Sequence, residues 1–218
     1  MAALTPTMDL VQSTVPQLIS ICISTSAHTL DLSLDTPFTI TLNLTLQSTT
    51  PITFNKRSSS LFDKTLSRQG LTFTNISTGK LVPRAKIYVS YLSSDGLPRE
   101  EDKEEWVTLF PDQDYVLETT FKPLDGDTSK WPKVAGFKDG QIYEIGVSEE
   151  AGVRTWIEGG LEDILEMRKS NLIPNVRKQA IGFEVRETKI FEVKRPDLDG
   201  SLNWPIIPHS DPNKRWIV

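Results

Sequence analysis

The stretch from Phe38 to Leu46 constrains the fold more than any other. Phe38, Ile40, Leu42, Leu44 and Leu46 alternate with Thr39, Thr41, Asn43 and Thr45. A period of two places the five apolar side chains on one face of an extended strand and the polar ones on the other. Such a strand cannot bury its apolar face alone, so further strands must supply a covering layer. Leu30, Leu32 and Leu34 alternate with Asp31 and Ser33 in the same manner, and Ile19, Ile21 and Ile23 form another candidate strand. Between the first two runs, Asp35-Thr36-Pro37 allows a turn or a kink.

The rest of the chain continues this pattern. Of residues 1–60, 21 are Ser or Thr and only Asp9, Asp31, Asp35, Lys56 and Arg57 are charged, a texture that favours extended structure over helix. Further strands are expected over Leu71–Asn75, Lys86–Tyr91, Trp106–Phe110, Tyr115–Lys122, Gln141–Val147, Val153–Ile157 and Ile181–Val193, separated by Gly, Pro, Asp or Asn clusters. One helix interrupts them. Leu161, Ile164 and Leu165 share a face, Glu158, Glu162 and Asp163 suit its N-terminal end, Arg168 and Lys169 suit its C-terminal end, and Pro174 bars continuation. Many short strands without long intervening helices pair antiparallel and stack as a sandwich.

Charge excludes one class of partner. The chain of 218 residues carries 24 basic and 29 acidic side chains, a net charge of −5, with no basic cluster to neutralise phosphates, so no nucleic acid is expected. No apolar run reaches the roughly 20 residues of a membrane span. Eleven acidic and three basic residues lie between Asp95 and Asp127. Two loops, Ser93–Glu105 and Pro123–Asp139, are expected to be exposed, and the first carries the run from Arg99 to Glu105, read as a solvated acidic surface, the alternative being a docking surface for a basic partner. Cys22, the only cysteine, cannot form an internal disulfide and reads as core filling among isoleucines. With no positive charge before Lys56, no cleaved signal is expected, and the localisation reads as cytoplasmic. Asn43-Leu44-Thr45 and Asn75-Ile76-Ser77 match the glycosylation triplet, which arises readily by chance.

The segments Leu109–Leu117 and Phe137–Ile145, each a turn followed by a strand, resemble paired strands of intracellular immunoglobulin-like and arrestin-N-like sandwiches. The resemblance implies that Tyr143 lies at a tyrosine corner, its hydroxyl tying a loop and its ring packed between sheets. The Ser/Thr-rich opening is similar in texture to small cytosolic proteins of filamentous fungi. The expected fold is therefore all-β: an antiparallel immunoglobulin-like β-sandwich with one short helix and a non-regular C-terminal tail. An N-terminal extension covers 1–17, the sandwich 18–195, and a tail packed on the domain 196–218.

The chemistry is read by elimination. There is no GxSxG, Walker, GxGxxG, HExxH or CxxC motif. Two histidines, His28 and His209, cannot make a histidine-rich zinc centre, and Asp125-Gly126-Asp127 reads as a turn rather than a calcium loop. His28 and Asp31 read as a surface pair. Glu144 and Glu184 would be acid catalysts only if turned inward, and alternation turns both outward. No metal and no cofactor are expected. Tyr91, Trp106, Tyr115, Trp156, Phe183 and Trp204 are the candidate ligand-contacting residues, as aromatic walls can line an apolar pocket. The leading reading is a non-catalytic cytoplasmic module that binds a protein or an apolar small molecule. The alternative is a cofactor-independent cyclase, isomerase or pericyclase working in an aromatic-lined cavity. Nothing in the pattern sets an oligomeric state.

Overall fold

The computed structural model describes residues 18–32, 36–63, 65–66, 69–83, 96–121 and 136–194. The N-terminal extension, the expected strand Lys86–Tyr91 and the C-terminal tail lie outside them. In chain order the elements are β1 (Leu18–Thr25), β2 (Thr29–Asp31), β3 (Phe38–Gln47), β4 (Ile52–Asn55), β5 (Leu71–Asn75), β6 (Lys80–Leu81) and β7 (Trp106–Leu109). They continue with β8 (Asp114–Phe121), β9 (Ile142–Val147), β10 (Trp156–Glu158), α1 (Leu161–Lys169), β11 (Val176–Arg177), β12 (Gly182–Glu187) and β13 (Lys189–Lys194). The chain is thus mostly β, and the one α-helix among the described residues lies where its apolar face and terminal charges predict.

Three sheets form, ordered β12-β1-β3-β8, β2-β13-β9-β5-β6 and β11-β10-β4-β7. In β3 every apolar residue from Phe38 to Leu46 is buried, while Thr39, Thr41, Asn43 and Thr45 are only half-buried, as the alternation requires. The first two sheets face each other: Phe38 and Phe121 of the first meet Phe191 and Phe73 of the second at ring-centroid distances of 5.2 and 5.8 Å. The pairing is not wholly antiparallel. Both β1 with β12 and β2 with β13 run parallel. Parallel partners need a long connection, and almost the whole domain lies between these, so no local turn signal announces them. The expected single strand over Ile181–Val193 is broken at Thr188, where the chain passes from the first sheet to the second.

Two other expectations are corrected. Cys22 is half-buried on the outward face of β1, because Ile21 and Ile23 on either side of it turn inward. Val153 is not part of a strand; it makes an isolated bridge to Ile181, and β10 begins only at Trp156.

A loop outside the strand pattern fills the space between the sheets. Leu61, Phe62 and Leu66 are buried, and the Phe62 ring meets Phe54 of β4, Tyr115 of β8 and Phe183 of β12. Gly70 closes this loop. Its backbone N–H donates to the Thr65 carbonyl at 2.8 Å, and a Cβ there would lie 2.5 Å from the Ser60 carbonyl oxygen.

The third sheet is covered on both faces. Phe54, Val107, Leu109 and Trp156 join the main core, whereas Trp106 and Ile157 pack with Ile164 of α1. Gly160 precedes α1 and has no side chain to cap it, so Thr108 Oγ1 accepts the Leu161 N–H at 3.2 Å. Thr108 and Thr53 hydroxyls meet at 2.8 Å, and Thr53 donates to the Gly159 carbonyl at 2.8 Å. Only one proton direction satisfies all three contacts: Leu161 N–H to Thr108, Thr108 to Thr53, Thr53 to Gly159. The C-terminus of α1 is closed by Asn171 at φ 57°, with Leu172 N–H donating to the Met167 carbonyl and Asn171 N–H to that of Arg168. The helix therefore ends before Pro174 can act on it.

Thr53 is fully buried, so Thr53→Val keeps the shape but strands the Gly159 carbonyl. Urea denaturation should show a loss of about 1–3 kcal/mol for Thr53→Val. Thr41→Val, on the wet face of β3, should stay within about 0.5 kcal/mol of wild type.

Candidate functional site

The aromatic candidates do not converge. Tyr91 and Trp204 lie outside the described residues. Tyr115 and Phe183 stand on strands at opposite edges of the first sheet, and each meets Phe62, at 5.7 and 6.5 Å. Trp156 is buried in the same cluster, with its indole N–H donating to the Gln179 carbonyl at 2.8 Å. Trp106 belongs to the separate cluster under α1, and its indole nitrogen is buried without a hydrogen-bond partner. These rings serve as packing. Burial raises the Tyr115 phenol above its ordinary value, so it stays protonated through the neutral range.

The polar candidates behave as surface groups. Asp31 pairs with Lys194 at 3.0 Å. Glu184 is exposed and pairs with Arg186 at 3.3 Å, and the half-buried Glu144 accepts the Thr188 hydroxyl at 2.9 Å; both turn away from the core as alternation predicts. Asn75 is buried and holds a turn, its Oδ1 accepting the Thr78 N–H at 3.0 Å and its Nδ2 donating to Gln141 at 3.2 Å. Asn43 sits in mid-strand on β3, between β1 and β8. Among the described residues no group of three or more His, Cys, Asp and Glu is arranged to hold a metal, and no helix is long and apolar enough to cross a membrane.

The acidic run is exposed, as expected, but it is not irregular. Glu100–Glu105 forms a 3-10 segment strapped to its surroundings. Arg168 donates to the Leu97 and Pro98 carbonyls, Lys103 bridges Glu100 and Glu162, and Lys169 reaches Glu100. Arg57 pairs with Glu105 at 3.4 Å. The basic end of α1 thus neutralises part of the run, which sequence distance concealed.

What distinguishes the surface is the contrast between two sheet faces. The outward face of the first sheet is mainly polar, with Val116 exposed on it, and its side chains bond to one another: Thr39 to Thr120 at 3.2 Å, Thr45 to Asp114 at 2.7 Å, Gln47 to Ser20 at 3.2 Å. The outward face of the second sheet sets an aliphatic group among its threonines and glutamates. Ile76, Leu81, Ile142 and Ile190 are 51, 61, 46 and 53% exposed, four of the nine exposed large hydrophobics among the described residues. The strand register brings them together. Ile190 lies opposite Glu144, Glu144 opposite Thr74, and Thr74 opposite Leu81; Glu192 lies opposite Ile142, whose carbonyl accepts the Ile76 N–H at 3.0 Å. Gly146 keeps the face low beside them, since a Cβ there would lie 2.7 Å from the Thr72 hydroxyl.

Buried residues hold this face in place. Tyr143 and Phe191, each one position along from the outward isoleucines, point inward and are buried. The Tyr143 hydroxyl accepts the Lys138 N–H at 2.9 Å, and its ring meets Phe137 at 4.9 Å. Sequence reasoning missed Ile142 and Ile190 as surface residues. The available signal was their parity: they alternate with Tyr143 and Phe191 and share the outward positions of Glu144 and Glu192. No family model, curated protein or solved structure matches the chain.

A pH experiment tests the strap. Hydrogen bonds from Lys103 and Lys169 hold the Glu100 carboxyl below its ordinary value of 4.5. A depressed carboxylate stabilises the fold above its unfolded value, and this contribution is lost as pH falls through the lower folded one. Glu100→Gln should melt slightly below wild type at neutral pH, with the difference closing in acid below the ordinary carboxylate range and also in molar salt.

Proposed function

We propose that this chain is a non-catalytic immunoglobulin-like β-sandwich module that binds another protein through the outward face of the β2-β13-β9-β5-β6 sheet. The observation that carries the reading is the group of four half-exposed aliphatic side chains on that face, where the first sheet's outward face is mainly polar with Val116 exposed. Contiguous exposed apolar groups on a soluble fold mark interaction surfaces. Tyr143 supports the immunoglobulin-like description, because its hydroxyl ties the preceding loop and its ring packs in the core. A cytoplasmic setting accords with one free cysteine and with two triplet asparagines committed to a strand and a turn.

Protein binding is preferred to the apolar-ligand and enzyme readings because, among the described residues, the candidate aromatics Trp106, Tyr115, Trp156 and Phe183 divide between two packed clusters. A sheet face needs no cavity. Its four aliphatic side chains suit a protein surface, where a few buried side chains supply most of the affinity.

Ile142→Gln with Ile190→Gln should leave stability within about 1 kcal/mol of wild type, as both side chains face solvent and no charge is added beside Glu144 and Glu192. Quantitative affinity capture should then show at least one protein retained by wild type and lost by this variant. A control with Thr41→Glu and Val116→Glu, on the first sheet's outward face, should retain it. Identical captured sets for all three proteins would overturn the reading.

A further inference from the structure

We propose that the partner presents an extended segment in which lysine or arginine side chains are interspersed with aliphatic ones, the basic groups meeting Glu144 and Glu192. This rests on the protein-binding reading of the same face and adds the chemistry of the partner. Glu144 lies in the row Ile190–Glu144–Thr74–Leu81, and Glu192 lies opposite Ile142. Isoleucine and glutamate therefore alternate on both β9 and β13, with the two carboxylates on one diagonal of the resulting square and Ile142 and Ile190 on the other.

Among the described residues neither carboxylate is paired with a cation. Glu144 has one hydroxyl contact, from Thr188 at 2.9 Å, and Lys194, the basic residue next outward from Glu192 on β13, is engaged by Asp31 at 3.0 Å. Any protein that covers the four aliphatic side chains must also cover Glu144, which lies among them. Removing a carboxylate from water without a compensating charge is costly, so a partner that buries this face has to bring a cation to it.

The same charges disfavour other occupants. A second copy docked face to face would bring carboxylates against carboxylates, and an anionic lipid or nucleic-acid surface would be repelled. An extended segment fits because its side chains repeat at the spacing of the strands beneath it and can place apolar and basic groups by turns.

The test uses the whole chain, with synthetic octapeptides as probes in which isoleucine and lysine, or isoleucine and glutamate, take turns at every second position with threonine between them, so that both kinds of side chain share one face of the extended peptide; binding is followed by amide chemical shifts and titration calorimetry. The lysine peptide should shift the amides of residues 142–144 and 190–192, and the glutamate peptide should not. Glu144→Gln with Glu192→Gln, which keeps shape and the Thr188 contact, should weaken binding at least about tenfold and flatten its dependence on salt. Ile142→Ser with Ile190→Ser should abolish binding. If the isoleucine variant loses binding while the glutamine variant does not, the docking face stands and its basic complement falls. Equal binding of the two peptides, shifts confined to another face, or no binding of the lysine peptide would overturn the proposal.

Discussion

The structure depends on a knot of aromatic rings between two sheets. Phe38 and Phe121 come from one sheet, Phe73, Tyr143 and Phe191 from the other, and Phe137 from the loop before β9. Most of these contacts between Phe73, Phe137, Phe121, Tyr143 and Phe191 are edge-on, the arrangement aromatic quadrupoles favour over stacking. The knot sets the separation of the sheets and fixes the rotation of β9 and β13 about their own axes. Once Tyr143 and Phe191 are held inward, Ile142, Glu144, Ile190 and Glu192 have no choice but to face out. The candidate binding surface is the reverse side of the most tightly packed part of the core.

A second constraint organises the other end of the domain. The β11-β10-β4-β7 sheet is buried on both faces, against the main core on one side and α1 on the other. Burying a sheet twice leaves its polar side chains without water. The threonines of β4 and β7 answer this by bonding to each other, to the first turn of α1 and to the Gly159 carbonyl. Phe62, carried in by the loop that Gly70 closes, then ties this sheet to Tyr115 and Phe183.

Much of the framework was legible in the sequence, because alternation is a local property. The run from Phe38 to Leu46 foretold β3 and its buried face, and the apolar pattern and terminal charges of Leu161–Lys169 foretold α1. Three things were not legible. Ile52–Asn55, Lys80–Leu81 and Val176–Arg177 are too short to show a period, and Phe62 fills the core from a loop with none. The bonds between Lys103, Lys169 and the acidic run depend on distant parts of the chain meeting, so composition alone suggested an irregular loop. The site itself was sought among aromatic residues, on the premise that large rings line pockets. Of these, Trp106, Tyr115, Trp156 and Phe183 pack in or against the core, and the isoleucines of the proposed face lie at outward positions of strands already recognised.

The parallel contact between β1 and β12 has a consequence for how the chain is made. Leu18 lies against Gly182 and Ile21 against Val185, so one of the earliest described strands gains a neighbour supplied by one of the last. At the ribosome's pace of about 5–20 residues per second, that neighbour is delayed by on the order of ten seconds. Over that interval β1 can pair with β3, but its other edge has nothing native to bond. Among the described strands, the first sheet therefore cannot be completed until β12 has been made, and closing it is a non-local, intrinsically slow step.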